Sequence, residues 1–185
     1  MSVVYFDQVG RDNTGKCIEL ALKRAGELGI GYVVVASTTG YTIEKVMEMN
    51  PGMNVVCVTH SMGFKKEGGD EFEADRDRLM KKGVKILTTT HLMAGLNRGV
   101  RNKYGTGTFS DVVADTLRMF SQGAKVCVEI AVMALDSGLI PAGEEVVAIG
   151  GTGRRADTAV VVMPAHSQNF FETRVLEIIC KPREG

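Results

Sequence analysis

The stretch Val33-Val34-Val35-Ala36-Ser37-Thr38-Thr39-Gly40-Tyr41-Thr42-Ile43-Glu44-Lys45-Val46 decides how this chain folds. A β-branched apolar run, the pattern of a strand buried on both faces, ends in small hydroxyl residues and Gly40. A helical spacing follows at once, with Ile43, Val46 and Met47 at i, i+3 and i+4. A strand–turn–helix joint of this kind leaves backbone N–H groups unpaired at the helix start, and the helix dipole adds partial positive charge there. Ser37, Thr38, Thr39 and Thr42 add hydroxyl donors, so the turn has the chemistry of a phosphate cradle. The plainer alternative is that one of the threonines caps the helix and Gly40 only makes the turn.

Working outward, strand and helix patterns alternate. Strands are expected over residues 3–6, Tyr32–Ala36, Asn54–Thr59, 84–89, 145–149, Thr158–Met163 and 174–180, and helices over Asn13–Leu28 and residues 42–49, 71–82, 110–121 and 124–136. Residues 91–108, with four glycines, read as an extended loop carrying Arg98, Arg101, Lys103 and Tyr104, a candidate lid. The alternation predicts a three-layer α/β/α fold with a mostly parallel sheet. The last strands lack intervening helices, which predicts an antiparallel C-terminal edge. With 185 residues, one domain spanning the whole chain is expected.

In open α/β sheets, ligands bind outside the carboxyl ends of the strands. Ser37, Thr38, Thr59, His60, Thr90, His91, Gly150 and Gly151 all fall at such ends, which predicts a pocket there. In the loop Gly150-Gly151-Thr152-Gly153-Arg154-Arg155-Ala156, Gly151, Gly153 and Ala156 match a loose dinucleotide fingerprint, but a strand follows it rather than a helix. It is better read as a glycine-rich hairpin whose backbone approaches an anion that Arg154 or Arg155 neutralises. Gly10-Arg11-Asp12-Asn13-Thr14-Gly15-Lys16-Cys17 nearly matches a P-loop, with Cys17 where the metal-binding hydroxyl belongs. A P-loop-like NTPase is therefore a lesser alternative, against a simple helix cap at Asn13 or Thr14.

Composition excludes several classes. The 22 basic and 22 acidic residues balance, so no basic field draws in nucleic acid or an anionic membrane. No apolar run approaches the roughly 20 residues of a membrane span. The N-terminal residues lack the pattern of a secretory signal, and a cytoplasmic location is expected. Cys17, Cys57, Cys127 and Cys180 are dispersed and mostly within apolar runs, as expected of buried, reduced thiols. They form no metal-binding cluster with His60, His91 and His166.

The turn at Ser37–Thr42 resembles the turn in the pyruvate kinase C-terminal α/β domain that holds a phosphate of a sugar-phosphate effector. Residues 126–163 resemble the same domain, through Gly138-Leu139-Ile140-Pro141-Ala142-Gly143-Glu144, the glycine-rich loop and Asp157-Thr158. The order of elements fits from about residue 32 to 164. Ser37-Thr38-Thr39-Gly40, Val58-Thr59-His60, Gly63-Phe64 and Gly150-Gly151-Thr152-Gly153 are similar to archaeal-type stand-alone proteins of this kind. That resemblance implies flavin mononucleotide (FMN) as ligand, with its phosphate at Ser37, Thr38, Thr39, Gly40, Tyr41 and Thr42. Its ring would lie near His60, Gly63, His91 and Gly151. The catalytic barrel of pyruvate kinase has no counterpart here, so pyruvate kinase activity is not expected. Bound flavin implies a flavin-dependent oxidoreductase, in which Arg154 or Arg155 supplies charge and His60 or His91 shuttles a proton. A non-enzymatic phosphometabolite-binding regulatory module is the alternative. The expected partner is a small phosphorylated molecule, and assembly into a homo-oligomer is left open.

Overall fold

The computed structural model describes residues 2–49, 51–64, 68–153 and 155–183. Seven strands form one sheet: β1 (Val4–Phe6), β2 (Tyr32–Ala36), β3 (Asn54–Thr59), β4 (Lys85–Thr88), β5 (Val146–Gly150), β6 (Thr158–Met163) and β7 (Arg174–Pro182). Their spatial order is β1-β7-β6-β5-β2-β3-β4. The helices are α1 (Asn13–Leu28), α2 (Tyr41–Glu48), α3 (Arg76–Lys81), α4 (Leu96–Tyr104), α5 (Phe109–Arg118) and α6 (Gln122–Asp136), and a 3₁₀ segment spans Ser167–Glu172.

The valine run does what its pattern demands. Val33 and Val35 of β2 pack with Ile18 and Ala21 of α1 and Ile43 and Val46 of α2. Val34 points the other way, among Ile130, Ala131 and Ala134 of α6. A strand buried on both faces has no polar side to show, hence the absence of alternation in its sequence. Among the described residues, no helix is long and apolar enough to cross a membrane.

The reversal expected at the C-terminal side is present, but it lies within the sheet. β6 runs antiparallel to both β5 and β7, and β1 pairs in parallel with β7 to form the edge. The N-terminal strand returns to cover β7, so every strand but β6 shares one direction. The expected loop over 91–108 contains α4, which the sequence concealed because Asn97 is its only buried residue. It is held from outside instead: Asn97 Nδ2 donates to Met93 O at 2.9 Å, and Arg101 pairs with Asp111 at 2.6 Å. The helix expected from residue 71 begins only at Arg76, where Asp75 accepts from the Arg78 N–H at 2.9 Å. Residues 71–75 are non-helical and lean on the turn after β2, with the Glu73 N–H donating to Thr39 O at 3.0 Å.

β2 leads through α2 to β3 over one face, and the chain returns to β5 through α6 on the other. The strand order therefore switches between β2 and β5, and a crevice opens at their carboxyl ends.

Candidate functional site

A cavity of about 230 Å³ occupies that crevice. The turn after β2 supplies Ser37, Thr38, Thr39 and Thr42, and the hairpin after β5 supplies Gly151, Gly153 and Arg155. His60 and Phe64 follow β3, His91 and Ala94 follow β4, Arg98 comes from α4, and Arg118, Gln122, Lys125, Val126 and Glu129 come from the α5–α6 region.

The turn is wound by its own small residues. Ser37 is buried; its N–H donates to Val58 O at 3.0 Å, and its Oγ accepts from the Ile43 N–H at 3.2 Å. Gly40 caps α2 with φ +98°, a left-handed conformation open chiefly to glycine. Among the described residues, no protein group accepts from the N–H groups of Thr38, Thr39, Gly40, Tyr41 or Thr42. This row of free donors is the helix-start geometry that binds oxyanions.

Charge favours an anion as well. Arg98, Arg118, Lys125 and Arg155 line the cavity, against the single carboxylate of Glu129. Arg155 is held back to its own loop by Nε donating to Thr152 O at 2.8 Å, and Arg118 is braced by Asp115 at 2.6 Å and Gln122 at 2.7 Å. Arg98 lies over the Phe64 ring, 4.4 Å from its centroid. Lys125 and Glu129, one turn apart on α6, form an ion pair at 4% and 1% exposure. Glu129 also accepts from the Met93 N–H at 2.7 Å. Burial pushes the Glu129 carboxyl upward, but the hydrogen bond from His91 and the charge of Lys125 outweigh it and hold the pKa at about 2.

The two histidines play different parts. His91 Nε2 donates to Thr59 O at 3.0 Å, and its Nδ1 lies 3.6 Å from Glu129, so it ties β3 to α6. His60 Nδ1 lies 2.7 Å from Glu71 Oε2, and its Nε2 faces Thr38 Oγ1 at 3.4 Å. Burial lowers the His60 pKa from its ordinary 6.5, against the hydrogen bond to Glu71.

Of the residues expected from sequence, Ser37, Thr38, Thr39, Thr42, His60, His91, Gly151, Gly153 and Arg155 line this cavity. Gly40, Tyr41, Thr59, Gly63, Gly150 and Thr152 do not. Gly40 shapes the turn, and Tyr41 lies beneath Arg11, 4.0 Å from ring centroid to guanidinium carbon. Thr59 spends its hydroxyl on Thr88, at 2.6 Å. Gly63 borders a neighbouring hollow. Gly150 lets α6 approach: a Cβ there would meet Gly123 O and Val126 Cγ1 at 3.0 Å. Thr152 belongs to the hairpin frame, its N–H 3.4 Å from Asp157 Oδ2. Arg154 lies outside the described residues.

The P-loop alternative meets a different surface. Cys17 Sγ is turned into the core, 3.6 Å from Cys180 Sγ, where no nucleotide-bound cation can reach it, and exposed Lys16 pairs with Glu19 at 2.8 Å. The sequence does not single out as site residues Ala36, Val58, Phe64, Ala94, Arg118, Gln122, Lys125, Val126 or Glu129, which line the cavity, nor Glu71, which reaches it through His60. The available signal was on α6, where Lys125 and Glu129 interrupt an otherwise apolar helix at i, i+4.

The family model for the pyruvate kinase α/β domain matches residues 16–162, most of the chain. The chain belongs to the pyruvate kinase α/β domain family. Among solved structures, a pyruvate kinase from Cryptosporidium parvum is 15% identical with a TM-score of 0.43, matching 84% of this chain and 24% of that one. The same organism's pyruvate kinase in complex with ADP is 15% identical with a TM-score of 0.41, over 80% of this chain and 21% of that one. The chain thus spans about a quarter of the length of these pyruvate kinases. The matched region of this α/β domain includes the Ser37–Thr42 turn and the hairpin before β6.

Proposed function

We propose that the cavity between β2 and β5 binds a small phosphorylated molecule, with FMN as the first candidate. One observation carries this reading: the turn whose N–H groups at residues 38–42 have no acceptor among the described residues lines, through Thr38, Thr39 and Thr42, the same cavity as Arg98, Arg118 and Arg155. Phosphate is satisfied by such a pairing of backbone donors and guanidinium forks. The rest of the lining suits an aromatic ring system. Ala36, Val58, Ala94 and Val126 are apolar, and the stacked rings of Phe64 and His60 also line the cavity.

In this reading Thr38, Thr39, Thr42 and Arg155 hold the phosphate, and Phe64, His60 and Gly151 border the ring. Bound flavin supplies hydride and electron transfer, which makes a flavin-dependent oxidoreductase the corresponding enzyme class. This chain's own residues bind, orient and supply positive charge; Arg98, stacked on Phe64, is placed to do the last. Calorimetric titration with FMN and with riboflavin tests the assignment. Tighter binding of FMN supports it, and equal binding of the two removes the phosphate from recognition.

A further inference from the structure

We propose that Thr38, His60 and Glu71 form a phosphoryl-transfer relay acting on a phosphomonoester, with Thr38 as nucleophile, His60 as base and Glu71 as positioning residue. The proposal rests on the phosphate reading of the Ser37–Thr42 turn; FMN is itself a phosphomonoester, so the relay makes a phosphate bound there a substrate group rather than a lasting cofactor anchor.

The geometry has the three parts such chemistry requires. Glu71 Oε2 lies 2.7 Å from His60 Nδ1, and an ionised carboxylate only accepts, so Nδ1 carries the proton. That tautomer leaves the Nε2 lone pair facing the Thr38 hydroxyl at 3.4 Å, a separation of the kind that tightens when substrate binds. Thr38 adjoins the N–H groups of residues 39–42, for which no described residue supplies an acceptor, the kind of donor that receives charge developing on a phosphoryl oxygen. A hydroxyl, an oriented imidazole and preorganised donors within one cavity constitute an activated nucleophile.

Two neighbouring rings hold the His60 imidazole. Phe64 stacks on it at 3.9 Å between centroids, and His91 meets it edge-on at 5.5 Å. His91 spends its Nε2 on the Thr59 carbonyl, which leaves His60 as the histidine facing a hydroxyl. The groups that set its charge come from three segments, Glu71 before α3, His91 after β4 and Arg98 of α4, while the Thr38 hydroxyl faces it from the turn after β2. Burial, with smaller contributions from His91 and Arg98, favours the neutral ring over the opposing effect of Glu71. A neutral ring at physiological pH is the form a base requires.

The step balances with water as the only co-reactant. Thr38 Oγ1 bonds to phosphorus as the ester P–O bond breaks, and His60 Nε2 takes the threonine proton and passes it to the departing alcohol oxygen. Water then attacks the phosphothreonine, giving its proton to Nε2; Thr38 Oγ1 leaves and recovers that proton. The products are the alcohol and inorganic phosphate.

The test incubates the full chain with p-nitrophenyl phosphate, following p-nitrophenolate release and, after an acid quench, mapping phosphothreonine by peptide mass spectrometry. Phosphate binding to the wild type is measured calorimetrically in parallel. Release is expected with label on Thr38, a loss of about 10²–10⁴-fold in His60→Gln, abolition in Thr38→Val and recovery in Thr38→Ser. Glu71→Gln should lower the rate and move the acid limb of the pH profile. Circular dichroism verifies that each variant is folded. Phosphate binding without release or label overturns the relay and leaves the phosphate site standing. Undiminished turnover in folded Thr38→Val also overturns it. Absence of both binding and turnover removes the two readings together.

Discussion

Gly40 and Ala74 touch: a Cβ built on Gly40 would stand 2.2 Å from Ala74 Cβ and 3.0 Å from Ala74 N. The Ser37–Thr42 turn is thus wedged against residues 71–75, the segment that carries Glu71. Gly40→Ala must relieve this overlap and also hold φ +98°. It should destabilise the fold by about 1–3 kcal/mol. Gly26→Ala, inside α1 with nothing within 4 Å of the new methyl, should be neutral or stabilise by up to about 1 kcal/mol. Urea midpoints at constant m-value measure both.

Lys125→Met should remove the partner of a carboxylate that is 1% exposed. Breaking a buried pair from one side typically costs about 3–5 kcal/mol. The double variant Lys125→Met/Glu129→Leu should recover part of that loss, leaving the Met93 N–H without its acceptor as the remaining cost. A thermal unfolding series of the two single variants and the double variant gives the coupling.

Two groups in the cavity set opposite ends of the acid response. Glu129 has its folded pKa lowered from 4.5 to about 2, so the native state binds fewer protons than the unfolded state in that window. Its contribution is complete above 4.5 and is lost as pH falls through that window toward 2. His60 has the same sign at higher pH. Its folded pKa lies below 6.5, so stability from this group declines as pH falls from 6.5. His60→Gln should flatten the upper part of the stability profile and Glu129→Gln the lower part, as read from urea midpoints at successive pH values.

Arg155 is tied to Thr152 O through Nε alone, which leaves its terminal nitrogens for the cavity. Arg155→Ala should weaken FMN binding by roughly 1.5–3 kcal/mol, on the order of tenfold to a hundredfold. Riboflavin binding should change less. Titration of both ligands against the variant and the wild type checks this difference.

The fold was legible where burial left a periodic trace. Val33–Val35 and the spacing of Ile43, Val46 and Met47 announced β2, the turn and α2, because both the strand and the helix face an apolar core. α4 left no such trace, since its anchors are polar: Asn97, Arg101 and the carboxylate of Asp111. The sequence pattern puts Glu71 in a helix over 71–82, whereas the Asp75 cap delays the helix to Arg76 and leaves Glu71 beside His60. β6 lies inside the sheet between β5 and β7, and β7 in turn is covered by β1, a pairing of residues 4–6 with 180–182 that no local pattern records. The cavity itself was half visible. Residues at strand ends could be placed by topology, but Arg118, Lys125 and Glu129 reach it from the far side of the crevice through the packing of α5 and α6.

Phosphate binding at the Ser37–Thr42 turn is what the proposed function requires above all. Its most direct test is a fluorescence titration of FMN with the wild-type chain and with Thr39→Asp. Saturable quenching or a spectral shift with the wild type, lost or strongly weakened when an anion is placed at position 39, is the predicted result. FMN affinity unchanged by Thr39→Asp, or no FMN and no inorganic phosphate binding to the wild type, would contradict it.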